Sequence, residues 1–259
     1  MSPFLAELLG TALLVLFGNG VVANVVLART KGHGTGWIVI TFGWGMAVFV
    51  GVFCASDFSG AHLNPAVTIA FAAAGKFATD PTKPFHSWSA VPVYLAAQML
   101  GGLIGAILVY FFYQPYFDST DDRDAKLASF CTAPNIRSTA NAFFCEMIGT
   151  FALVLPLFLM SSPGLSLKMG TAPATADFGL GALGALPVGL LVFAIGLSLG
   201  GTTGYAINPA RDLPPRIAHF LLPIRNKRDS DWGYAWIPVV APIVGGLLAA
   251  LVIRPFLKH

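Results

Sequence analysis

Asn64-Pro65-Ala66 and Asn208-Pro209-Ala210 repeat one tripeptide 144 residues apart, in a chain dominated by apolar runs. Asparagine is a preferred N-cap and proline is favoured at the first helical position, so each copy reads as the start of a helix. Such a start carries a positive dipole end and unpaired N–H groups. Its chemistry is fixed hydrogen-bond donation to a neutral oxygen-bearing molecule and repulsion of a cation. Arg211, three residues after Asn208, shares a helical face with it and adds a full positive charge; a bland alternative is an arginine snorkelling to the membrane surface. Glu7 and Glu146 lie within apolar runs, where carboxylates are usually functional. Placed symmetrically, they suit acceptance of hydrogen bonds from the loops ahead of the helix starts better than proton carriage. No nucleophile–base pair can be assembled from the apolar runs, and the three cysteines lack metal-ligand spacing. His62 stands alone and is expected to tether a loop through its ring, or else to line a path through its carbonyl. No catalytic residue, metal site or cofactor is expected, which argues against an enzyme.

These groups need elements to hold them. The 259 residues are 56% hydrophobic and 10% charged, with a mean hydropathy of +0.73, whereas soluble domains carry roughly 25% charged residues. This is the composition of a membrane protein. A formal charge of +3, dispersed along the chain, does not suit nucleic acid. Six runs are long enough to cross about 30 Å of hydrocarbon, near Phe4–Leu27, Trp37–Ala55, Ala90–Tyr113, Thr139–Met160, Phe178–Leu199 and Tyr234–Leu257. The first contains Glu7, Asn19 and Asn24 without a basic leader, and reads as a retained span. Two shorter stretches, about Asn64–Ala74 and Asn208–Phe220, cannot span. A helix starting inside the bilayer is tolerated only beside protein or a water-filled cavity, so two such starts facing one another imply a pore. Gln114–Arg137, with Asp118, Asp121, Asp122, Arg123, Asp124 and Lys126, reads as a solvated connector, and Gly101-x-x-x-Gly105 as a packing motif.

The two halves are repeats. Ala6-Glu7-Leu8-Leu9-Gly10-Thr11 parallels Cys145-Glu146-Met147-Ile148-Gly149-Thr150, and Ser59-Gly60-Ala61-His62-Leu63-Asn64 parallels Thr203-Gly204-Tyr205-Ala206-Ile207-Asn208. Gln98, Gly101 and Gly102 match Pro242, Gly245 and Gly246. Three full spans per half is an odd number, so the repeat is inverted and its short helices enter from opposite sides to meet near the midplane. One channel domain over residues 1–259 is expected, with repeats at about 4–113 and 139–257 and a connector at about 114–138.

Both Asn-Pro-Ala copies, the Ser-Gly-Ala-His-Leu lead-in, the two Glu-x-x-Gly-Thr segments and Arg211 resemble the major intrinsic protein family of aquaporins and aquaglyceroporins, over nearly the whole chain. The resemblance implies an all-α membrane fold of six transmembrane helices plus two re-entrant half-helices, one pore per subunit, a homotetramer, and a multi-pass protein of the plasma membrane. It also implies that Trp44, Gly196, Tyr205 and Arg211 form the outer selectivity filter. Glycerol facilitators usually show an aromatic, a glycine, a second aromatic and arginine there, whereas water-selective members usually show histidine at the position of Gly196 and a small residue at that of Tyr205. Asp212 after the arginine also suits the glycerol branch. The implied partners are glycerol, other small polyols, water and membrane lipid.

The chemistry of that set suits a polyol. Trp44 and Tyr205 can form an apolar corner for the carbon face, and Arg211 can donate to hydroxyls. Gly196, lacking a side chain, keeps the constriction wide. Trp44 and Tyr205 can equally be ordinary interfacial aromatics. Carbonyls of the lead-ins Gly60-Ala61-His62-Leu63 and Gly204-Tyr205-Ala206-Ile207 are expected to line the pore as acceptors, with shallow binding so that solute is released. Pro214-Pro215 stands where the family commonly has Gly-Pro; the start of the second half-helix should survive, and the proline pair leaves its continuity beyond Asp212 open. The runner-up is a water-selective aquaporin. A secondary transporter of a small neutral solute is the next alternative, but it needs coupling-ion ligands at the midplane, where this chain offers two neutral asparagines.

Overall fold

A computed structural model describes residues 1–76, 88–160, 164–168 and 175–256, with backbone alone for 164–168 and 175–179. In chain order the helices are α1 (Pro3–Val26), α2 (Trp37–Ser59), α3 (Pro65–Ala73), α4 (Val91–Ser119), α5 (Arg123–Ala128), α6 (Thr139–Leu159), α7 (Leu186–Leu199), α8 (Pro209–Leu221) and α9 (Ile237–Ile253). Among the described residues six helical segments are long and apolar enough to cross a membrane, at Pro3–Val26, Trp37–Ser59, Trp88–Ser119, Thr139–Leu159, Gly181–Leu199 and Ile237–Phe256. They match the six expected runs; Leu257, the last residue of the sixth, lies outside the described residues. The short helices α3 and α8 begin at the two Asn-Pro-Ala copies. The fold is thus all-helical apart from one antiparallel hairpin, β1 (Gly164–Lys168) with β2 (Thr175–Gly179), in register from Gly164↔Gly179 to Lys168↔Thr175.

Packing follows the repeat. α1 lies against α2 and α4, α6 against α9, and α2 against α7, while each half-helix docks on the opposite half, α3 on α9 and α8 on α4. Close crossing rests on glycine. A Cβ added to Gly101 of α4 would fall 2.3 Å from the Leu8 carbonyl of α1, and one added to the repeat-related Gly245 of α9 would fall 2.1 Å from that of Met147. Gly45 and Gly189, also repeat partners, face each other across the α2–α7 contact: a Cβ on either would lie 2.8 or 2.7 Å from the other's carbonyl oxygen. Small residues that let backbones meet are the usual means of helix association in lipid, where apolar side chains gain little from burial. Large apolar side chains such as Phe112, Leu251 and Leu190 accordingly face outward.

Two expectations need correction, and one open question closes. The fifth span starts at Gly181 as a 3₁₀ turn and becomes α-helical at Leu186, while Phe178 lies in β2; Gly179, Gly181 and Gly184 weaken the helix there. The connector is solvated only in part: Asp118, Asp121, Asp122, Arg123 and Asp124 are exposed, but much of the rest is folded and buried. α4 continues to Ser119, Asp122 caps α5 by accepting from the Asp124 and Ala125 N–H groups at 2.8 and 3.1 Å, and Phe130, Cys131 and Thr132 are buried. Even Lys126 is only 1% exposed, its stem buried and its ammonium donating to the Arg225 carbonyl at 2.6 Å.

Finally, α8 runs unbroken through Pro214 and Pro215 to Leu221. The proline pair is spanned by Asp212 and Arg216, both fully buried, whose ion pair closes at 2.7 Å over one helical turn. The carbonyl of Ala210, which would have served the missing Pro214 N–H, is instead approached by Gly102 of α4, where a Cβ would come within 2.3 Å of it.

Candidate functional site

The two helix starts meet tip to tip. Each asparagine is an extended N-cap whose Oδ1 accepts from the N–H two residues on, Asn64 from Ala66 and Asn208 from Ala210, both at 2.9 Å. The amide nitrogens then cross between the halves. Asn64 Nδ2 donates to the Ile207 carbonyl and Asn208 Nδ2 to the Leu63 carbonyl, each at 2.8 Å. One hydrogen of each amide is thereby committed to the opposite half, and the second remains for a solute.

The lead-ins to these caps are held in an uncommon backbone. Gly60, Ala61 and Leu63 have φ of 79°, 52° and 50°, and Gly204, Tyr205 and Ile207 have 87°, 39° and 44°. Left-handed conformations at non-glycine residues cost on the order of 1–3 kcal/mol each and persist only when the surroundings dictate them. Two buried carboxylates do so. Glu7 accepts from Ser59 Oγ (2.6 Å), His62 N (2.9 Å), Leu63 N (2.7 Å) and Gln98 Nε2 (2.8 Å). Glu146 accepts from Thr203 Oγ1 (2.7 Å), Ala206 N (3.0 Å) and Ile207 N (2.8 Å). The His62 ring is engaged too, with Nδ1 3.2 Å from Thr68 Oγ1.

A cavity of about 380 Å³ passes both helix starts. The lead-in residues Gly60, Ala61, His62, Leu63, Tyr205, Ala206 and Ile207 line it together with Asn64 and Asn208, whereas Leu14, Val48, Leu153 and Val192 of α1, α2, α6 and α7 add an apolar wall. Pro65, Ala66, Pro209 and Ala210 are buried in the helix starts behind the asparagines and do not line it. Gly204, expected as a lining carbonyl, is turned away: a Cβ there would meet Thr132 Cγ2 at 3.2 Å. Leu63 and Ile207 line the cavity, but their carbonyls are already bonded to the opposing asparagines, so fewer acceptors are free than the sequence suggested.

Trp44, Tyr205 and Arg211 come together in this cavity near the start of α2 and the end of α7. The Arg211 guanidinium carbon lies 4.2 Å from the Trp44 ring centroid, a cation–π contact. Trp44 Nε1, Tyr205 Oη and Arg211 Nη1 are buried and have no protein hydrogen-bond partner among the described residues. Gly196 is beside the cluster but does not line the cavity. The Tyr205 ring occupies the space a side chain there would need, since a Cβ on Gly196 would lie 2.9 Å from Tyr205 Cζ and Oη. The room that Gly196 leaves is therefore taken by the tyrosine ring, a correction to its reading as open width of the constriction.

Several supporting residues escaped the sequence reading. Trp37 donates through Nε1 to the Gly196 carbonyl at 3.0 Å and meets Tyr205 edge-on, with ring centroids 5.8 Å apart at 77°. Gly18 makes room for Trp44, whose ring carbons would lie 2.1–2.4 Å from a Cβ on it. Asp212 and Arg216 form the staple described above. The i, i+4 spacing of the latter pair was a usable signal; nothing in the local sequence marked Trp37 or Gly18.

The comparisons with known proteins bear on the family and the fold. Residues 1–253 match the family described as major intrinsic protein. The chain is 53% identical over 250 residues to the probable glycerol uptake facilitator protein of Thermotoga maritima, covering 96% of this chain and 97% of that one. It is 48% identical over 256 residues to the glycerol uptake facilitator protein of Streptococcus pneumoniae, covering 99% and 100%. Among solved structures it is similar to the aquaglyceroporin from Plasmodium falciparum, with a TM-score of 0.76 and 31% identity over 97% of this chain and 94% of that one. The chain is a multi-pass membrane protein that belongs to the major intrinsic protein family.

Proposed function

We propose that this protein is a passive channel for glycerol and related small neutral polyols, with water, acting in the plasma membrane as a homotetramer in which each subunit, a single channel domain built of two repeats, carries its own pore. The observation that carries this reading is the cavity itself. Apolar residues of the spanning helices share it with the two lead-ins and their asparagines, whose peptide groups and amides can offer hydrogen bonds. That combination suits a molecule with a carbon face and a hydroxyl edge, passing in file and held weakly at each position.

In this reading Trp44, Tyr205 and Arg211 form the outer filter, with Gly196 fixing the tyrosine. Asn64 and Asn208 orient the solute at the centre, and Glu7 and Glu146 hold the lead-ins in place. The names of the relatives from Thermotoga maritima and Streptococcus pneumoniae point to the same solute. Stopped-flow light scattering on proteoliposomes, comparing water, glycerol and urea, tests it. Glycerol-driven reswelling well above that of empty liposomes is expected; fast water flux with glycerol at the lipid background would favour the water-selective alternative.

A further inference from the structure

We infer that Thr132, in the segment joining the two repeats, is a positioning residue for the outer filter and thereby sets the preference of the pore for glycerol over water; the inference rests on the functional reading above. Thr132 is 4% exposed and grips α8 at the residue that follows Arg211. Its N–H and its Oγ1 both donate to Asp212 Oδ2 at 2.7 Å. The other carboxylate oxygen takes Arg216 Nε at 3.0 Å and Nη2 at 2.7 Å, and the same Nη2 donates to the Thr132 carbonyl at 2.8 Å. Arg216 Nη1 carries the link on to the Ser230 carbonyl at 2.8 Å. The threonine side chain also backs Gly204, immediately before Tyr205. One residue therefore braces the filter from behind at two points, beside Arg211 and beside Tyr205.

The repeat shows why such a brace is needed on this side. Thr68 stands in α3 where Asp212 stands in α8, four residues after the respective asparagine. In the first half Thr68 Oγ1 accepts from Gln98 Nε2 at 2.9 Å, and Gln98 also reaches Glu7, so the first lead-in is supported by α4 of its own half. The repeat counterpart of Gln98 is Pro242, which has no side-chain donor. The second half replaces that support with the connector. The connector is itself anchored, since Asn19 of α1 donates through Nδ2 to the Phe130 carbonyl at 3.1 Å, and Phe130 packs on Phe117 and on His219 with ring centroids 5.5 Å away in both cases. Asn19 thus acquires a role that an isolated amide in an apolar span lacked.

Among the described residues the Arg211 side chain has no comparable anchor of its own. It lies on Trp44 and leaves Nη1 unpartnered, so its place depends on the helix turn that Asp212 fixes. Loosening that turn lets the guanidinium swing over the cavity, which obstructs a three-carbon solute more than water.

The test is the ratio of glycerol to water permeability in proteoliposomes of the full chain, with thermal midpoints measured alongside. Thr132→Val keeps the shape and removes the hydroxyl; loss of one charge-assisted hydrogen bond is expected to lower the ratio by roughly threefold or more, while Thr132→Ser, which keeps the donor, stays at the wild-type ratio. Should Thr132→Val not assemble, Asn19→Leu, which frees the connector upstream, is expected to shift the ratio in the same direction. An unchanged ratio in Thr132→Val or in its substitute, both fluxes falling in equal proportion, or a Ser variant as altered as the Val variant each overturns the inference. Absence of glycerol flux in the unmodified protein refutes instead the functional reading beneath it.

Discussion

Gly196 and Tyr205 behave as one unit, because the tyrosine ring fills the space the glycine leaves. Histidine at 196 alone has no room, and the expected outcome of Gly196→His is a displaced Tyr205, loss of glycerol flux and a lowered thermal midpoint. Adding Tyr205→Ala vacates the ring's volume and should restore stability and water flux without glycerol; stopped-flow scattering with calorimetry on both variants checks this. Glycerol flux in the single variant equal to wild type at equal expression contradicts the arrangement. Glu7 and Glu146 work differently, as acceptors for buried N–H groups. Glu146→Ala strands the Ala206 and Ile207 N–H groups at about 1–3 kcal/mol each, so assembly and melting should suffer before selectivity does. Normal assembly combined with flux that has become proton-dependent would instead make a transporter credible. The asparagines and carboxylates were legible in the sequence because they recur in register, and Tyr205 and Arg211 because they stand beside a recurring motif, whereas Trp44 and Gly196 came from the family resemblance. Which carbonyls remain free was not, since the cross-bonds of Asn64 and Asn208 join residues more than 140 positions apart.

The half-helices illustrate how an element can survive a poor local sequence. Two prolines inside α8 remove two backbone donors, and proline in a helix interior typically costs about 3 kcal/mol or more. Tertiary contacts override that penalty through the Asp212–Arg216 staple and its bonds to Thr132 and Ser230. Breaking the pair by Arg216→Met leaves a buried, uncompensated carboxylate, and a loss of about 3–5 kcal/mol is expected, read as a fall in the thermal unfolding midpoint. Asp212→Leu combined with Arg216→Met should recover part of it; a single variant as stable as wild type would remove the staple from the explanation. α3 needs no such device and ends in a regular fashion, with Gly75 left-handed (φ 71°) and the Lys76 N–H donating to the Phe71 carbonyl at 2.9 Å. Span positions followed from hydropathy because lipid imposes length and apolarity on a crossing helix. The connector defied the same logic, since charge density says nothing about where Lys126 finds the Arg225 carbonyl or Phe130 its aromatic neighbours.

At the scale of the molecule, the inverted repeat delivers two helix N-termini to one cavity, each nominally about half a positive charge. Arg211 adds its charge on one side only, because the repeat counterpart is Val67. The carbonyls that might replace a cation's hydration shell at the centre, those of Leu63 and Ile207, are already taken. Planar-bilayer recordings should therefore show no proton or potassium current in the wild type and a leak in Arg211→Val. The interlocking of halves, α3 on α9 and α8 on α4, makes the two repeats one body around the cavity, and none of the described residues lining it is a carboxylate that could couple flux to an ion gradient. The most direct measurement of the central claim is labelled-glycerol uptake into proteoliposomes as a function of concentration, with and without imposed proton and sodium gradients. Passive conduction predicts a rate that rises linearly with glycerol and is indifferent to either gradient; saturation together with acceleration by a proton or sodium gradient would contradict it.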